Sequence, residues 1–148
     1  MPSSRNYDYA KYEQDKSYGV SQEDRLLCKI QQKYANVQKT SKHDKVDYVS
    51  NDYIIELKSR RCRFYTYKTT MISKGKIDYI LETCAQLNKK GICMFNFDDG
   101  LYEVEITPDV VDKFECGFSG RKDRGRKEYD LYYFIPIEML KIFEFQKS

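Results

Sequence analysis

Apolar and polar positions repeat with two periods along this chain. Leu26, Leu27, Ile30 and Tyr34 recur at helical spacing. Ser21 ahead of them is a good N-cap and Asp24 sits at the capping-box position, so a helix is predicted from Ser21 to about Ala35. Val46 to Ser50 and Tyr53 to Ser59 are rich in β-branched and aromatic residues, and Asn51-Asp52 between them has turn chemistry, which predicts a hairpin. Ser73 caps a second predicted helix, from about Lys76 to Asn88, with Ile77, Ile80, Leu81, Cys84 and Leu87 as its apolar stripe and Gly91 as its stop. Ile92 to Phe97 and Leu101 to Ile106 read as strands joined at Asp99-Gly100. Thr107 to Lys113 reads as a short turn or helix, Phe114 to Phe118 and Leu131 to Ile135 as strands. Pro136 suits the first turn of a final helix. The first stretch, residues 1–20, is polar with scattered tyrosines and reads as a flexible arm or a loosely docked extension ahead of a single domain over residues 21–148. The order helix, hairpin, helix, hairpin, strand, helix predicts an α/β fold, a central mixed sheet flanked by helices.

The first hairpin carries the candidate chemistry. With a two-residue loop at Asn51-Asp52, Ser50 faces Tyr53 and Asp47 faces Glu56. Directly opposed side chains have Cβ atoms about 4.5–5.5 Å apart, so two carboxylates there repel unless a cation lies between them. Strand residues alternate faces, so Ile54, Glu56, Lys58 and Arg60 share one face, and Ile55, Leu57 and Ser59 the other. Lys58 follows Glu56 at about 6.6 Å along the strand. Asp44 falls on the opposite face from Asp47 in a regular strand, and Asp52 falls in the turn.

An Asp, a short hairpin and then Glu-x-Lys resembles the core of the PD-(D/E)XK nucleases, the restriction-endonuclease-like superfamily. Asp47, Glu56 and Lys58 match that motif, with Val46 standing where the family often has Pro. The resemblance implies a core of helix, three strands, helix and strand over residues 21–97, the third strand falling around Phe64 to Tyr67. It implies Mg²⁺ (or Mn²⁺) held by Asp47 and Glu56, with the Leu57 carbonyl as a further ligand and Lys58 assisting the attacking water. It also offers Glu23, on the preceding helix, as an acid near the site. The Glu-Leu-Lys-Ser-Arg run, the Thr-Thr-Met segment and a late basic loop before Tyr-Tyr-Phe-Ile-Pro also look like small nuclease-like proteins of giant DNA viruses.

Charge changes the picture locally rather than overall. The net charge is only +3 over 148 residues. Between Glu56 and Lys76, however, Lys58, Arg60, Arg61, Arg63, Lys68, Lys74 and Lys76 face a single acid, with Phe64, Tyr65 and Tyr67 interleaved. A second basic loop holds Arg121, Lys122, Arg124, Arg126 and Lys127 against Asp123 and Glu128. Such segments suit the phosphates of a nucleic acid, so DNA is the expected partner. The alternative is a non-catalytic nucleic-acid-binding or virion-associated protein with the same fold. Homodimerisation is compatible with either. Five cysteines without C-x-x-C spacing argue against a disulfide framework and suit a reducing intracellular compartment, in cytoplasm, nucleus or virion. One histidine, His43, gives no redundancy for a His-based metal site. No apolar run approaches a membrane span and no signal peptide is visible.

Overall fold

The computed structural model describes residues 9–41, 44–121 and 128–143. His43, Lys122, Arg124, Arg126 and Lys127 lie outside the described residues. Helix α1 (Tyr9–Lys33) is followed by β1 (Gln38–Lys39), β2 (Tyr48–Val49), β3 (Tyr53–Ser59) and β4 (Thr69–Ser73). Then come α2 (Lys74–Leu87), β5 (Lys90–Phe97), β6 (Gly100–Ile106), a short α3 (Pro108–Val111), β7 (Glu115–Arg121) and β8 (Glu128–Pro136). A single 3₁₀ turn (Ile137–Met139) leads to β9 (Lys141–Ile142). The central sheet is mixed, in the order β1-β2-β3-β5-β6-β9, and a smaller sheet has the order β4-β8-β7.

Strand β3 is the middle of this arrangement. It pairs antiparallel with β2 and parallel with β5. Parallel partners need a crossover, and the chain supplies it through β4 and α2. Strands buried on both faces read as near-continuous apolar runs, and Ile54, Ile55 and Leu57 with Ile92 to Phe95 show that pattern. One face packs Tyr48, Ile55, Leu57, Ile92 and Met94 against Leu26 and Ile30 of α1 and Tyr34 just beyond it. The other packs Ile54, Cys93, Phe95 and Val104 against Ile77 and Ile80 of α2.

Helix α1 begins at Tyr9 rather than Ser21, taking in residues that the sequence reading assigns to the arm. Gly19 and Ser21 look like a boundary, but Gly inside a helix costs only about 1 kcal/mol relative to Ala. Tertiary contact outweighs it here. Arg61, just past β3, donates to the Gln14 carbonyl (3.4 Å), approaches Asp15 (3.8 Å) and lies 4.2 Å over the Tyr18 ring. Residues 64–67 form turns, not a third core strand, because Phe64 turns inward to stack on Tyr102. Among the described residues the final helix is also missing. Ile137, Leu140 and Phe143 are buried at a spacing of three, which imitates a helix, but the 3₁₀ turn ends in a strand bound to the edge of β6.

Helix α2 has the expected Ser73 cap, whose hydroxyl accepts from Lys76 N–H (3.3 Å). Its stop is Asn88 in the left-handed conformation, not Gly91, and Leu87 lies off the stripe, 56% exposed. Gly91 instead opens β5 beneath α2. A Cβ there would collide with Ile80 Cγ2 and sit 3.2 Å from Cys84 Sγ. Gly91→Val is therefore expected to lower stability by about 1–3 kcal/mol through overpacking. A melting curve identical to wild type would show that α2 has room to move off β5.

Candidate active site

The β2–β3 register is the one that a two-residue turn dictates: Val49 pairs with Ile54 and Tyr48 with Ile55. The ladder then breaks at Asp47. Val46 and Tyr48, two residues apart, pack on opposite faces of the sheet, which a regular strand does not allow. The Asp47 N–H donates to the Ile55 carbonyl (3.1 Å), and its carbonyl accepts from Thr40 N–H (2.9 Å). Its side chain takes the place of a backbone partner, with Oδ2 accepting from Leu57 N–H (2.8 Å). Asp47 is thus clamped at the mouth of the hairpin by the strand that carries Glu56.

Glu56 lies on the α2 face as alternation requires, but that face is dry. Its side chain is 3% exposed. Lys58 Nζ stands 3.2 Å from Oε2, and Lys76 Nζ, from the first turn of α2, stands 3.6 Å from Oε1. The second distance is an ion pair beyond hydrogen-bond reach, and Oε1 accepts no hydrogen bond. Burial, and then the neighbouring Asp47 charge, push the Glu56 carboxyl up to about 7 against the opposing pull of Lys58 and Lys76.

Glu23 comes to the same place from α1. It lies three residues before Leu26, on the helix face that Leu26 and Ile30 bury, and the Tyr48 hydroxyl donates to its carbonyl (2.6 Å). Burial, then a hydrogen bond shared with Asp47 and the Asp47 charge, push the Glu23 carboxyl up to about 8, with Lys39 opposing at 3.7 Å. The resemblance offered Glu23, and its spacing, an acid in register with the apolar stripe, agrees with that place. Lys76 gave no comparable signal, since its role depends on where α2 lands.

The rival acids sit elsewhere. Asp44 accepts from Ser41 N–H (2.8 Å) in the preceding loop, and Asp52 is exposed in the turn. The basic residues divide. Arg60 turns inward to Thr70 Oγ1 (3.2 Å) and the Met71 carbonyl (2.5 Å), tying the end of β3 to β4. Arg61 holds α1, as described above. Arg63 and Lys68 are exposed, and Lys74 pairs with Asp78 (2.6 Å). Arg121 ends β7.

This donor set fits a hard divalent cation. Three carboxylates converge, two of them hold protons more tightly than usual, and one buried oxygen lacks a hydrogen bond. Among the described residues no three acidic, histidine or cysteine side chains close into a ready-made cage. Mg²⁺ does not need one, because one or two carboxylates commonly hold it, with water and substrate phosphate completing the shell.

A mixed sheet with acids on a hairpin, a following lysine and a helix on each face defines a restriction-endonuclease-like core. The family model described as "Phage putative PDDEXK endonuclease" matches residues 9–147, and the chain belongs to that family. Membership supports nuclease function in general, with nucleic acid as substrate, and the viral affiliation is to phages. No curated protein matches the chain. Among the described residues no helix is long and apolar enough to cross a membrane.

Proposed function

We propose that this protein is a Mg²⁺- or Mn²⁺-dependent endonuclease that hydrolyses phosphodiester bonds of DNA. The observation that carries this reading is Glu56: a buried carboxylate with one unbonded oxygen, flanked by two lysines and faced by further acids. Asp47 and Glu56 would hold the ion, with the Leu57 carbonyl as a further oxygen and Glu23 supporting Asp47. A divalent ion held by these residues would supply Lewis-acid polarisation of a phosphoryl oxygen and a more acidic water. Lys58 is 39% exposed, so its ammonium can reach from Glu56 to that water and offset charge developing on the phosphoryl group. Lys76 keeps a second positive charge at Glu56 from the other side. Arg61, Arg63, Lys68 and Lys74 would hold the DNA backbone, together with Arg121, Lys122, Arg124 and Arg126. Arg60 contributes by fixing the strand end from which these residues extend.

Titration calorimetry with Mn²⁺ on the wild type and on Asp47→Asn tests the site. The variant is expected to bind at least about tenfold more weakly, the usual scale for disturbing a ligand set. Equal affinity in both would remove Asp47 from it. Absence of cleavage on duplex, single-stranded and branched DNA in Mg²⁺ and Mn²⁺ would favour a non-catalytic nucleic-acid-binding protein.

A further inference from the structure

The chain leaving β3 has a feature that phosphate binding does not use. Tyr65 is 80% exposed and Tyr67 67% exposed. Large apolar groups left in water in one short segment mark a surface that meets a partner. The segment is firmly built. Phe64 is buried and stacked on Tyr102, with ring centroids 3.9 Å apart and planes parallel. Its N–H donates to Asp99 Oδ1 (2.8 Å), and the Asp98 N–H donates to the Cys62 carbonyl (2.9 Å). Thr66 closes the turn in both directions, N–H to the Arg63 carbonyl (3.1 Å) and Oγ1 from the Arg63 N–H (3.1 Å). The Tyr65 ring packs edge-on against Phe64, centroids 4.5 Å apart. Both tyrosines are therefore presented from an ordered turn, at little entropic cost to a partner that stacks on them.

The surrounding charge selects that partner. From Leu57 to Ile77 the sequence holds no acid, and exposed Arg63, 3.7 Å from Asp99, and exposed Lys68 flank the two rings. Planar rings among cations match a chain with planar bases and phosphates. In an uninterrupted duplex each base face is covered by its neighbours, so a ring finds a free face only where the stack is broken. Tyr65 lies seven positions beyond Lys58, no more than about 25 Å of extended chain.

Building on the nuclease reading, we propose that Tyr65 and Tyr67 form a stacking platform for unpaired bases. The preferred substrate is then DNA with a single-stranded stretch beside the cleavage point, such as an overhang, a flap or a junction. Fluorescence anisotropy on the full chain in metal-free buffer tests this without cleavage. The probes are a labelled single strand of roughly 16 nucleotides, the upper site size for such surfaces, and the blunt duplex of the same sequence. Tyr65→Ala/Tyr67→Ala is expected to bind the single strand at least about tenfold more weakly, since base stacking is worth about 1–3 kcal/mol per base. Its duplex affinity should stay within about twofold, and Tyr65→Phe/Tyr67→Phe should match the wild type on both probes, because stacking needs the ring and not the hydroxyl. Unchanged single-strand affinity in the alanine variant, or equal losses on both probes, overturns the platform. Parallel wild-type cleavage assays in Mg²⁺ separate the two readings. Cleavage with tyrosine-independent binding removes the platform alone, whereas tyrosine-dependent binding without cleavage removes the nuclease alone.

Discussion

Lys58→Ala is expected to slow single-turnover cleavage by about 10²–10³-fold at saturating Mg²⁺, the usual effect of losing one donor aimed at developing charge. DNA affinity should change by less than about twofold, because one lysine among many adds little to phosphate binding. The fold should persist. Lys58 is partly exposed, and Lys76 remains 3.6 Å from Glu56 to balance the buried carboxylate. A purely structural Lys58 predicts the reverse. The 3.2 Å pair with Glu56 would then serve only to relieve carboxylate repulsion. The variant would melt earlier, regain stability in Mg²⁺, and cleave at the wild-type rate once the ion saturates. Single-turnover rates and melting temperatures across one Mg²⁺ titration decide between the two, and wild-type rates in the variant would falsify the catalytic role.

The metal-free protein is expected to lose thermal stability as pH rises from about 5 to about 8. The Glu56 and Glu23 carboxyls are pushed up to about 7 and about 8 in the folded chain, chiefly by burial. Unfolded glutamates titrate near 4.3. The folded state therefore holds these protons more tightly than the unfolded state. Their contribution to stability is fully present below the unfolded value and is lost as pH rises through the folded values. A divalent ion takes over from the protons. At a hundredfold excess over its dissociation constant it adds about 2.7 kcal/mol, or roughly 5–10 °C at about 2–4 °C per kcal/mol for a chain of this size. The gain should be larger at the higher pH, where protons no longer compete. Differential scanning fluorimetry of the wild type and of Glu23→Gln/Glu56→Gln, with and without Mg²⁺, measures both effects. The double variant should show a flatter metal-free profile and a smaller Mg²⁺ gain. Identical slopes in the two proteins would mean that the pH dependence arises elsewhere.

What was legible in the sequence was local. Asn51-Asp52 sets a two-residue turn, and that turn sets the parity placing Glu56 and Lys58 on one face, as the Tyr48–Ile55 pairing shows. The Ser73 cap and the Ile77–Ile80 stripe were legible for the same reason, since each depends on neighbours within a turn. What escaped depends on distant chain. The burial of Glu56 was not legible, because nothing nearby reveals that β5 and α2 cover that face. Lys76 read as one more phosphate contact, because a charge run carries no direction until the helix bearing it is docked. Tyr9 to Val20 read as an arm because its support comes from Arg61, about fifty residues on. The end of the chain misled for another reason: a 3₁₀ turn running into a strand buries residues at the same interval as a helix.

The parallel pairing of β3 with β5 also bears on how the protein is made. The hairpin with Asp47 and Glu56 is complete once Ser59 has been synthesised, but its second neighbour ends only at Phe97. Until then Glu56 lacks the strand that lies beside it in the folded protein. A nascent or truncated chain ending before β5 carries the hairpin acids and Lys58 but not the buried environment that gives the site its properties. The buried surroundings of Glu56 therefore need the chain as far as Phe97, about forty residues beyond the hairpin.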